Sequence, residues 1–393
     1  MTMTIRSSLF LSPALVLLAS CGASASVDTP AETRSASAAT TAGSPFAITE
    51  FGSFAEPWAA AFAPGTGVLF ITEQAGTMKF VDTSTGRRGT VSGLPQVDYG
   101  GQGGLGDIAF LPSEASGTLD RRTIYLSWAE AGEGDTRGAA VGRGTLVCEE
   151  ADACRIEGME VIWRQAPKVT GRGHYSHRIV VSPDERYLFI ASGERQKMEP
   201  AQDLSNTLGT VVRLTLDGKE AEGNPFADRG GASGQIWSYG HRNILGMDFD
   251  AEGNLWEVEH GPKGGDELNL VQPGKNYGWP VVSGGVHYDG APIPDHSARP
   301  EFEAPKIDWT PVIAPGDMLI YQGDMFADWQ GDAIITGLKT KALVRVEFDG
   351  SVAKEAARYD FENRLRAVDQ GPDGALWVLE DGETGRLLRL TTP

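Results

Sequence analysis

The possible folds of this chain are narrowed chiefly by a turn followed by a short apolar run, a pattern that recurs along the sequence. Strong copies lie at 64–73, 183–192, 250–259 and 372–380, and weaker copies lie at 120–127 and 329–336. In the strong copies, a turn rich in Gly, Pro or Asp leads into aromatic and β-branched residues, as in a buried strand after a tight turn. Copies spaced roughly 40 to 80 residues apart predict six supersecondary units joined by loops of variable length.

These repeats predict an all-β fold, and within that class a six-bladed β-propeller over residues 45–393. The chain has almost no sustained helical periodicity, which argues against an α/β fold. Its 50 glycines and 22 prolines suit a protein with many turns between short strands. The alternative is a β-sandwich in which the similarity of the copies is accidental.

Residues 1–21 predict export. A positively charged start precedes the apolar stretch 9–20, which is too short to span a bilayer and is typical of a signal peptide. This stretch leads to Cys21 in a pattern similar to the bacterial lipobox, whose cysteine is acylated; the alternative is cleavage after the small residues 23–25. Residues 22–44 are mostly Ala, Ser, Thr and Gly and predict a flexible tether. We therefore expect a periplasmic protein, attached to the cell envelope only through a lipid on Cys21.

The formal net charge of −19 argues against nucleic-acid binding, which needs a basic surface. Cys148 and Cys154 are separated by a short polar loop, and export favours a disulfide between them. Free thiols are the alternative. A zinc pair is a remote third reading, because too few cysteines remain to complete such a site.

Two segments carry polar residues that are candidates for ligand binding or catalysis. The glycine-rich stretch 100–106 lacks the ending of a phosphate-binding loop, but it places Gln102 where a planar ligand can approach the backbone closely. The segment 173–178 holds His174 and His177 before a strand copy, and Glu194 closes that same copy. A carboxylate beside an imidazole is the arrangement that a general base needs. A metal pair of the two histidines is the alternative, although their spacing suits a helix better than this loop.

Other polar residues follow the apolar run of their own copies. Glu194, the segment 259–261 and the pair 338–339 all lie just beyond such a run. Equivalent strand ends lie on one face of a propeller, around its central axis. We therefore expect these residues to converge on one site.

Three segments in order, 239–243, 259–270 and 276–280, closely resemble the glucose/sorbosone dehydrogenase family of soluble quinoproteins. The resemblance runs from about Phe54 to Leu390. It implies a six-bladed propeller that binds pyrroloquinoline quinone (PQQ) and Ca²⁺ and oxidises aldose sugars. It also implies an electron acceptor, a quinone or a cytochrome, which the sequence does not identify.

The resemblance assigns roles residue by residue. His174 matches the general base, and Glu194 the acidic residue that supports it. Arg242 matches the cation that stabilises charge at the reacting carbonyl. The cofactor-lining positions are matched by Gln102, Arg242, Asn243, Tyr288, Lys339, Arg364 and Arg366. Gly261 and Pro262 match backbone carbonyls that hold the catalytic calcium, and Glu267 and Tyr277 match a further calcium site. Hydride would pass from the anomeric carbon to the quinone, giving a lactone.

Elementary chemistry is consistent with these assignments. PQQ carries three carboxylates, so an acidic protein needs a dedicated cationic cluster to bind it. Lys339, Arg364 and Arg366 provide one, and arginine suits bidentate recognition of a carboxylate. The alternative for such residues is a solvated charged face. Calcium takes carbonyl oxygens, which a Gly-Pro turn presents.

Three positions depart from the family pattern. Gly173 stands where the glucose-oxidising branch has an aspartate that reaches the sugar, which predicts a wider and less selective sugar site. His177 replaces a usual glycine and Thr210 a usual lysine, and both are expected to alter packing near the pocket rather than to abolish chemistry.

Two other functions fit parts of the pattern. A calcium-dependent sugar lactonase on the same fold would bind its metal with side-chain carboxylates and would not use the cationic cluster. A non-catalytic sugar-binding propeller tethered to the envelope would not require His174 and Glu194 together.

Overall fold

The computed structural model describes residues 45–393, and the predicted signal peptide, lipobox and tether (1–44) lie outside them. Almost all regular structure in this part of the chain is β-strand, which confirms the all-β prediction. The first twelve strands are β1 Ala47–Phe54, β2 Pro57–Phe62, β3 Val68–Glu73, β4 Thr77–Asp82, β5 Arg88–Ser92, β6 Leu105–Phe110, β7 Arg121–Ala131, β8 Arg137–Val147, β9 Ala153–Arg164, β10 Ser176–Val181, β11 Tyr187–Ser192 and β12 Thr210–Thr215.

The second half of the described chain continues in the same style. Its strands are β13 Ile236–Tyr239, β14 Ile244–Phe249, β15 Leu255–Glu259, β16 Asp266–Val271, β17 Ile307–Trp309, β18 Pro315–Ile320, β19 Ala333–Gly337, β20 Ala342–Asp349, β21 Val352–Asp360, β22 Leu365–Gln370, β23 Leu376–Glu380 and β24 Gly385–Thr391. The one α-helix of the described residues, α1, spans Gly231–Gln235. Short 3₁₀ turns lie at Pro112–Glu114, Glu199–Gln202, Ala227–Arg229, His296–Ala298 and Ala327–Trp329.

The strands form antiparallel meanders. Within residues 45–393 there are four four-stranded sheets, in the orders β10-β11-β12-β13, β14-β15-β16-β17, β18-β19-β20-β21 and β1-β24-β23-β22. An eight-stranded sheet in the order β2-β3-β4-β5-β9-β8-β7-β6 contains the remaining strands. Its two halves are themselves four-stranded meanders, joined edge to edge by parallel pairing of β5 with β9. Each meander thus repeats one supersecondary unit.

Every copy of the sequence repeat overlaps the second strand of a meander, and the four strong copies contain it whole. These strands are β3, β7, β11, β15, β19 and β23. Each lies between two strands of its own sheet, and every residue of β3, β15, β19 and β23 is buried. A strand covered on both faces needs a continuous apolar run, which is why this strand stands out in the sequence.

The first strands of the meanders contact one another in a closed cycle, β2-β6-β10-β14-β18-β22-β2. Aspartates on four of them reach across and accept a backbone N–H from the next strand in the cycle. These bonds are Ile179 N–H to Asp107 at 2.9 Å, Ile320 N–H to Asp248 at 2.7 Å, Val368 N–H to Asp317 at 3.2 Å and Phe62 N–H to Asp369 at 2.7 Å. Side chains therefore join inner strands that belong to different sheets.

Two further links close the architecture. Strand β1 pairs antiparallel with β24, so a strand near the start of the described chain completes the sheet formed by its last three strands. Cys148 and Cys154 form a disulfide between the end of β8 and the start of β9, as the sequence predicts. No helix among the described residues is both long and apolar enough to cross a membrane.

Candidate active site

The residues that follow the second strands lie around a set of adjoining cavities. Five of them line these cavities: Gln74, Glu194, His260, Leu338 and Asp381. Each comes one or two residues after its strand, where the chain leaves the sheet. The repeated topology thus brings together residues that are far apart in sequence.

The central cavity has a volume of about 440 Å³. The predicted cofactor residues Gln102, Asn243, Arg364 and Arg366 line it, together with His177. Its volume lies within the usual range for small-molecule sites, about 300 to 1,000 Å³.

A carboxylate holds the two arginines of this cavity in place. Arg364 donates from Nε to Asp381 at 2.6 Å, and Arg366 donates from Nε and Nη2 to the same carboxylate at 2.8 and 2.7 Å. Burial opposes ionisation of Asp381, but Arg366 and Arg364 together keep its pKa below the usual range. The carboxylate is therefore charged and offsets part of the positive charge, while terminal guanidinium nitrogens of both arginines have no other partner among the described residues.

Lys339 is placed differently from the arginines. It lies on the turn after β19, where its backbone N–H bonds to the carbonyl of Ile313, and it is exposed. Its neighbour Leu338 lines the central cavity, whereas Lys339 does not. The predicted cluster of three cations is therefore, in this structure, an arginine pair at the cavity with a lysine outside its wall.

A second cavity, of about 380 Å³, opens beside the first one. His174, Glu194, Arg242 and Tyr288 line it, so the predicted base and its supporting carboxylate share this space with the predicted cation. Tyr288 is 73% exposed, which places it at the rim rather than in the interior.

His174 and Glu194 form a buried pair. The Nδ1 atom of His174 is hydrogen-bonded to a Glu194 oxygen, and the other carboxylate oxygen accepts the backbone N–H groups of Lys197 and Met198. Burial opposes ionisation of Glu194, yet these contacts and Arg242 lower its pKa, so it accepts the Nδ1 proton. Burial also lowers the pKa of His174 below 6.5, although Glu194 works in the opposite direction. The imidazole is thus neutral near pH 7, with Nε2 free to accept a proton.

Two amides hold the loop that carries the base. Gln102 accepts the backbone N–H of His174 at 2.6 Å, and Asn243 accepts that of Ser176 at 3.1 Å. The residues between them have positive φ angles, 49° at His174 and 64° at Ser176, which are unusual for residues other than glycine. These amides therefore stabilise a strained conformation that directs the imidazole into the cavity.

Arg242 lies in the wall between the second cavity and a smaller one. Its Nη1 atom donates to the His260 carbonyl at 3.1 Å, and its guanidinium lies 5.0 Å from the ring centroid of Trp279. Its Nε atom is buried and has no hydrogen-bond partner among the described residues. Since a buried donor without a partner is costly, the arginine has unused capacity for an anion at this wall.

The predicted metal residues surround the smaller cavity. Gly261, Glu267 and Tyr277 line it, whereas Pro262 lines the second cavity next to it. A Cβ atom at Gly261 would lie 2.0 Å from the carbonyl oxygen of Gly265, so only glycine allows this close approach of backbone oxygens. The Tyr277 hydroxyl donates to the Leu270 carbonyl at 2.6 Å and accepts the backbone N–H of Gln272 at 2.9 Å.

A buried acidic cluster lies next to these residues. His241, Glu257 and Glu259 place ligand atoms within 4.8 Å of one another, and Asn269 links Glu257 to Glu267. Burial, reinforced by Glu259, raises the pKa of Glu257 to about 8. Burial disfavours a charged His241, but the two carboxylates outweigh that effect and raise its pKa to about 9. The oxygen-rich donor set is of the kind that a hard cation prefers.

Two of the departures from the family pattern lie within or beside these cavities. A Cβ atom at Gly173 would lie 2.5 Å from the side-chain amide of Gln196, so Gln196 occupies the space that a side chain at 173 would need. His177 lines the central cavity. Thr210 is buried in β12, and its hydroxyl donates to the carbonyl of Thr207 at 3.0 Å, which is a packing role.

Sequence reasoning did not find several lining residues. Asp381 and Gln74 follow second strands, so the rule that found Glu194 and His260 would have found them too. Gln196 had no such signal, because it comes close to Gly173 only through the path of a loop.

Comparison with known proteins gives a consistent result. Residues 54–389 match the family model described as Glucose / Sorbosone dehydrogenase. The aldose sugar dehydrogenase YliI of Escherichia coli is 39% identical over 342 residues, which cover 85% of this chain and 90% of that protein.

Solved structures match in fold as well. The apo form of the soluble aldose sugar dehydrogenase from Escherichia coli superposes with a TM-score of 0.80 at 35% identity, covering 88% of this chain and 100% of that one. The PQQ-bound aldose sugar dehydrogenase of Streptomyces coelicolor gives a TM-score of 0.70 at 27% identity, covering 88% and 98%. This chain therefore belongs to the glucose/sorbosone dehydrogenase family, as its sequence motifs predict.

Proposed function

We propose that this protein is a six-bladed propeller that oxidises aldose sugars to lactones with PQQ and Ca²⁺. The observation that carries the proposal is the buried His174–Glu194 pair, which opens on one cavity with Arg242 while the arginine pair lines the adjoining one. The six meanders and the closed cycle of inner strands support the blade number. The relative from Streptomyces coelicolor is described as PQQ-bound, which supports the cofactor.

The central cavity fits a planar acidic cofactor. Arg364 and Arg366 present guanidinium groups that Asp381 orients, and such groups bind carboxylates through paired hydrogen bonds. Gln102 and Asn243 use their side-chain oxygens to hold the catalytic loop, which leaves their amide N–H groups for a ligand. For Ca²⁺, the backbone of Gly261 and Pro262 and the carboxylate of Glu267 offer oxygen donors at the smaller cavity.

When bound, PQQ would accept the hydride and Ca²⁺ would polarise the carbonyl that receives it. His174 takes the proton of the anomeric hydroxyl on Nε2 as the hydride leaves the anomeric carbon, so the sugar becomes a lactone. Glu194 stabilises the imidazolium that forms and keeps the ring in this orientation. Arg242 offers its charge, including the unpartnered Nε, to negative charge that develops at the shared wall.

Localisation belongs to the same proposal. The protein is exported, held at the envelope by a lipid on Cys21, and passes electrons to a quinone or a cytochrome. The neutral amide of Gln196 beside Gly173 would give the sugar site broad selectivity.

Purified protein supplied with PQQ and Ca²⁺ should reduce an artificial dye when aldoses are added, with stoichiometric formation of the lactone. Protein without PQQ is the control. Hydrolysis of added sugar lactones without dye reduction would instead identify a lactonase. Sugar binding without either reaction would identify a binding protein.

A further inference from the structure

The structure contains a buried histidine that the proposed mechanism does not use. His177 is 2% exposed and lines the central cavity. Neither of its ring nitrogens has a hydrogen-bond partner within residues 45–393. The ring stacks on Tyr175 with centroids 5.2 Å apart and meets the edge of Trp58 at 5.6 Å. Its position is therefore set by aromatic packing rather than by hydrogen bonds.

An imidazole in this state has unused hydrogen-bonding capacity. Burial, with the nearby charges of Arg195 and Arg178, lowers the pKa of His177 to about 3, so the ring is neutral near pH 7. A neutral imidazole has one N–H donor and one acceptor nitrogen. Leaving both without a partner away from bulk water costs free energy. The ring lines the cavity, but its two nitrogens have almost no surface open to it, so a ligand there satisfies the N–H when the ring turns toward the cavity.

Other groups around the cavity indicate what that ligand is. Arg364 and Arg366 provide charged donors, and Gln102 and Asn243 provide amide donors. The carboxylates of Glu56, Asp381 and Glu383 also line the cavity, but Asp381 is paired with both arginines. The remaining donors fit an anion with several oxygen atoms. The N–H of His177 adds a donor from a different strand. His177 lies on β10, whereas Arg364 precedes β22 and Arg366 is its second residue.

We propose that His177 is a cofactor-binding residue, whose imidazole N–H donates a hydrogen bond to an oxygen of PQQ in the central cavity. This inference rests on the proposed function and extends it to a residue first expected only to alter packing. The aromatic contacts with Tyr175 and Trp58 keep the ring at the wall of the cavity.

The test is the affinity of the apo protein for PQQ in calcium buffer, measured by titration calorimetry or by quenching of tryptophan fluorescence. His177→Phe keeps an aromatic ring for stacking but removes both nitrogens. Its dissociation constant for PQQ should rise about tenfold or more, because a hydrogen bond to a charged or polarised oxygen is lost. His177→Asn keeps an N–H donor and should lose less affinity. The melting temperature of apo His177→Phe should equal or exceed that of the wild type, because an unpartnered polar group has been removed.

Tyr321→Phe is the matched control. The buried Tyr321 hydroxyl donates to the Gly374 carbonyl at 2.6 Å, so its loss should lower the melting temperature and leave PQQ affinity unchanged. A His177→Phe protein that binds PQQ as tightly as the wild type would overturn the inference, whatever its stability. The proposed function would still stand in that case if the wild-type protein oxidised sugars. A wild-type protein that does not bind PQQ would overturn both.

Discussion

At the scale of single residues, the proposed catalysis depends on a neutral histidine, His174, held by a charged carboxylate, Glu194. The two groups lie 20 positions apart in the sequence. The fold brings them together because His174 precedes β10 and Glu194 follows β11, the two strands of one hairpin. Burial keeps the imidazole unprotonated, and Glu194 fixes its tautomer. On a solvated loop, the same histidine would be neither kept neutral by burial nor fixed in one tautomer.

His174→Gln should lower turnover by about 10² to 10⁴, because the proton acceptor is lost. PQQ affinity should remain within a factor of about two, since Arg364, Arg366 and Asn243 are unchanged. Steady-state kinetics and a PQQ titration on the same preparations measure both. Unchanged turnover would show that another group acts as the base.

The pH profile gives a separate test of the pair. The proposed mechanism requires unprotonated His174, whose pKa burial holds below 6.5, so the acidic limb of kcat/KM should lie below pH 6.5. Glu194→Gln removes a carboxylate that favours the protonated ring, and it should move this limb to still lower pH while turnover falls. A limb that moved to higher pH would contradict the assigned role of Glu194.

At the scale of elements, the meanders are held together by side chains as well as by packing. The aspartates of the inner strands accept N–H groups from neighbouring sheets, and Arg178 bridges Asp107 and Asp317 at 3.0 and 3.2 Å. The disulfide adds a covalent link within the largest sheet. These links make different, measurable contributions to stability.

Replacing Cys148 and Cys154 by serine should lower the free energy of unfolding by about 2 kcal/mol, because the closed loop is short, with a sequence separation of 6. Urea denaturation measures the change. A reducing agent should bring the wild type to the value of the double variant and leave the variant itself unaffected. A larger loss of unfolding free energy would show that the disulfide also stabilises structure beyond the β8–β9 hairpin.

Asp369 should make stability depend on pH. Burial raises the pKa of its carboxyl to about 7, above the unfolded value of about 3.9. The stabilisation is present at pH values below the unfolded pKa and is lost as the pH rises through about 7. Asp369→Asn keeps an oxygen for the Phe62 N–H but cannot ionise, so its fall in stability between pH 5 and 8 should be smaller by about 2 to 3 kcal/mol.

The exposed residue Asp228 supplies the control, since Asp228→Asn should retain the pH dependence of the wild type. Urea denaturation at the two pH values makes the comparison. Parallel curves for Asp369→Asn and the wild type would show that Asp369 does not titrate in this range.

At the scale of the whole molecule, closure of the strand cycle is what creates the site. The inner strands surround one axis, and pairing of β1 with β24 completes the last sheet.

Cys21→Ala should release the protein from membranes into the soluble periplasmic fraction, because acylation of this cysteine is the proposed attachment. Fractionation of cells expressing each form measures the distribution. Equal membrane association of both forms would exclude lipidation as the attachment. The purified variant should keep full dye-reducing activity, because Cys21 lies outside the catalytic domain.

The sequence alone determined the strand class, the repeat, the family and most of the polar residues at strand ends. These properties depend on local patterns, such as the continuous apolar run of a strand buried on both faces, and on short motifs such as 259–270. The expectation that polar residues just beyond the second strands converge on one site also applies to Asp381. Its pairing with both arginines, however, cannot be read from the sequence.

Tertiary structure alone decided which side chains meet across the axis. Lys339 lies outside the cavity while Leu338 lines it, and Gln196 fills the space beside Gly173. The ring of His177 is buried without a hydrogen-bond partner in residues 45–393 because Tyr175 and Trp58 pack against it, and Trp58 lies on a different sheet. The physical reason is that these contacts join residues far apart in the chain, and closure of the strand cycle sets their distances, which no local periodicity encodes.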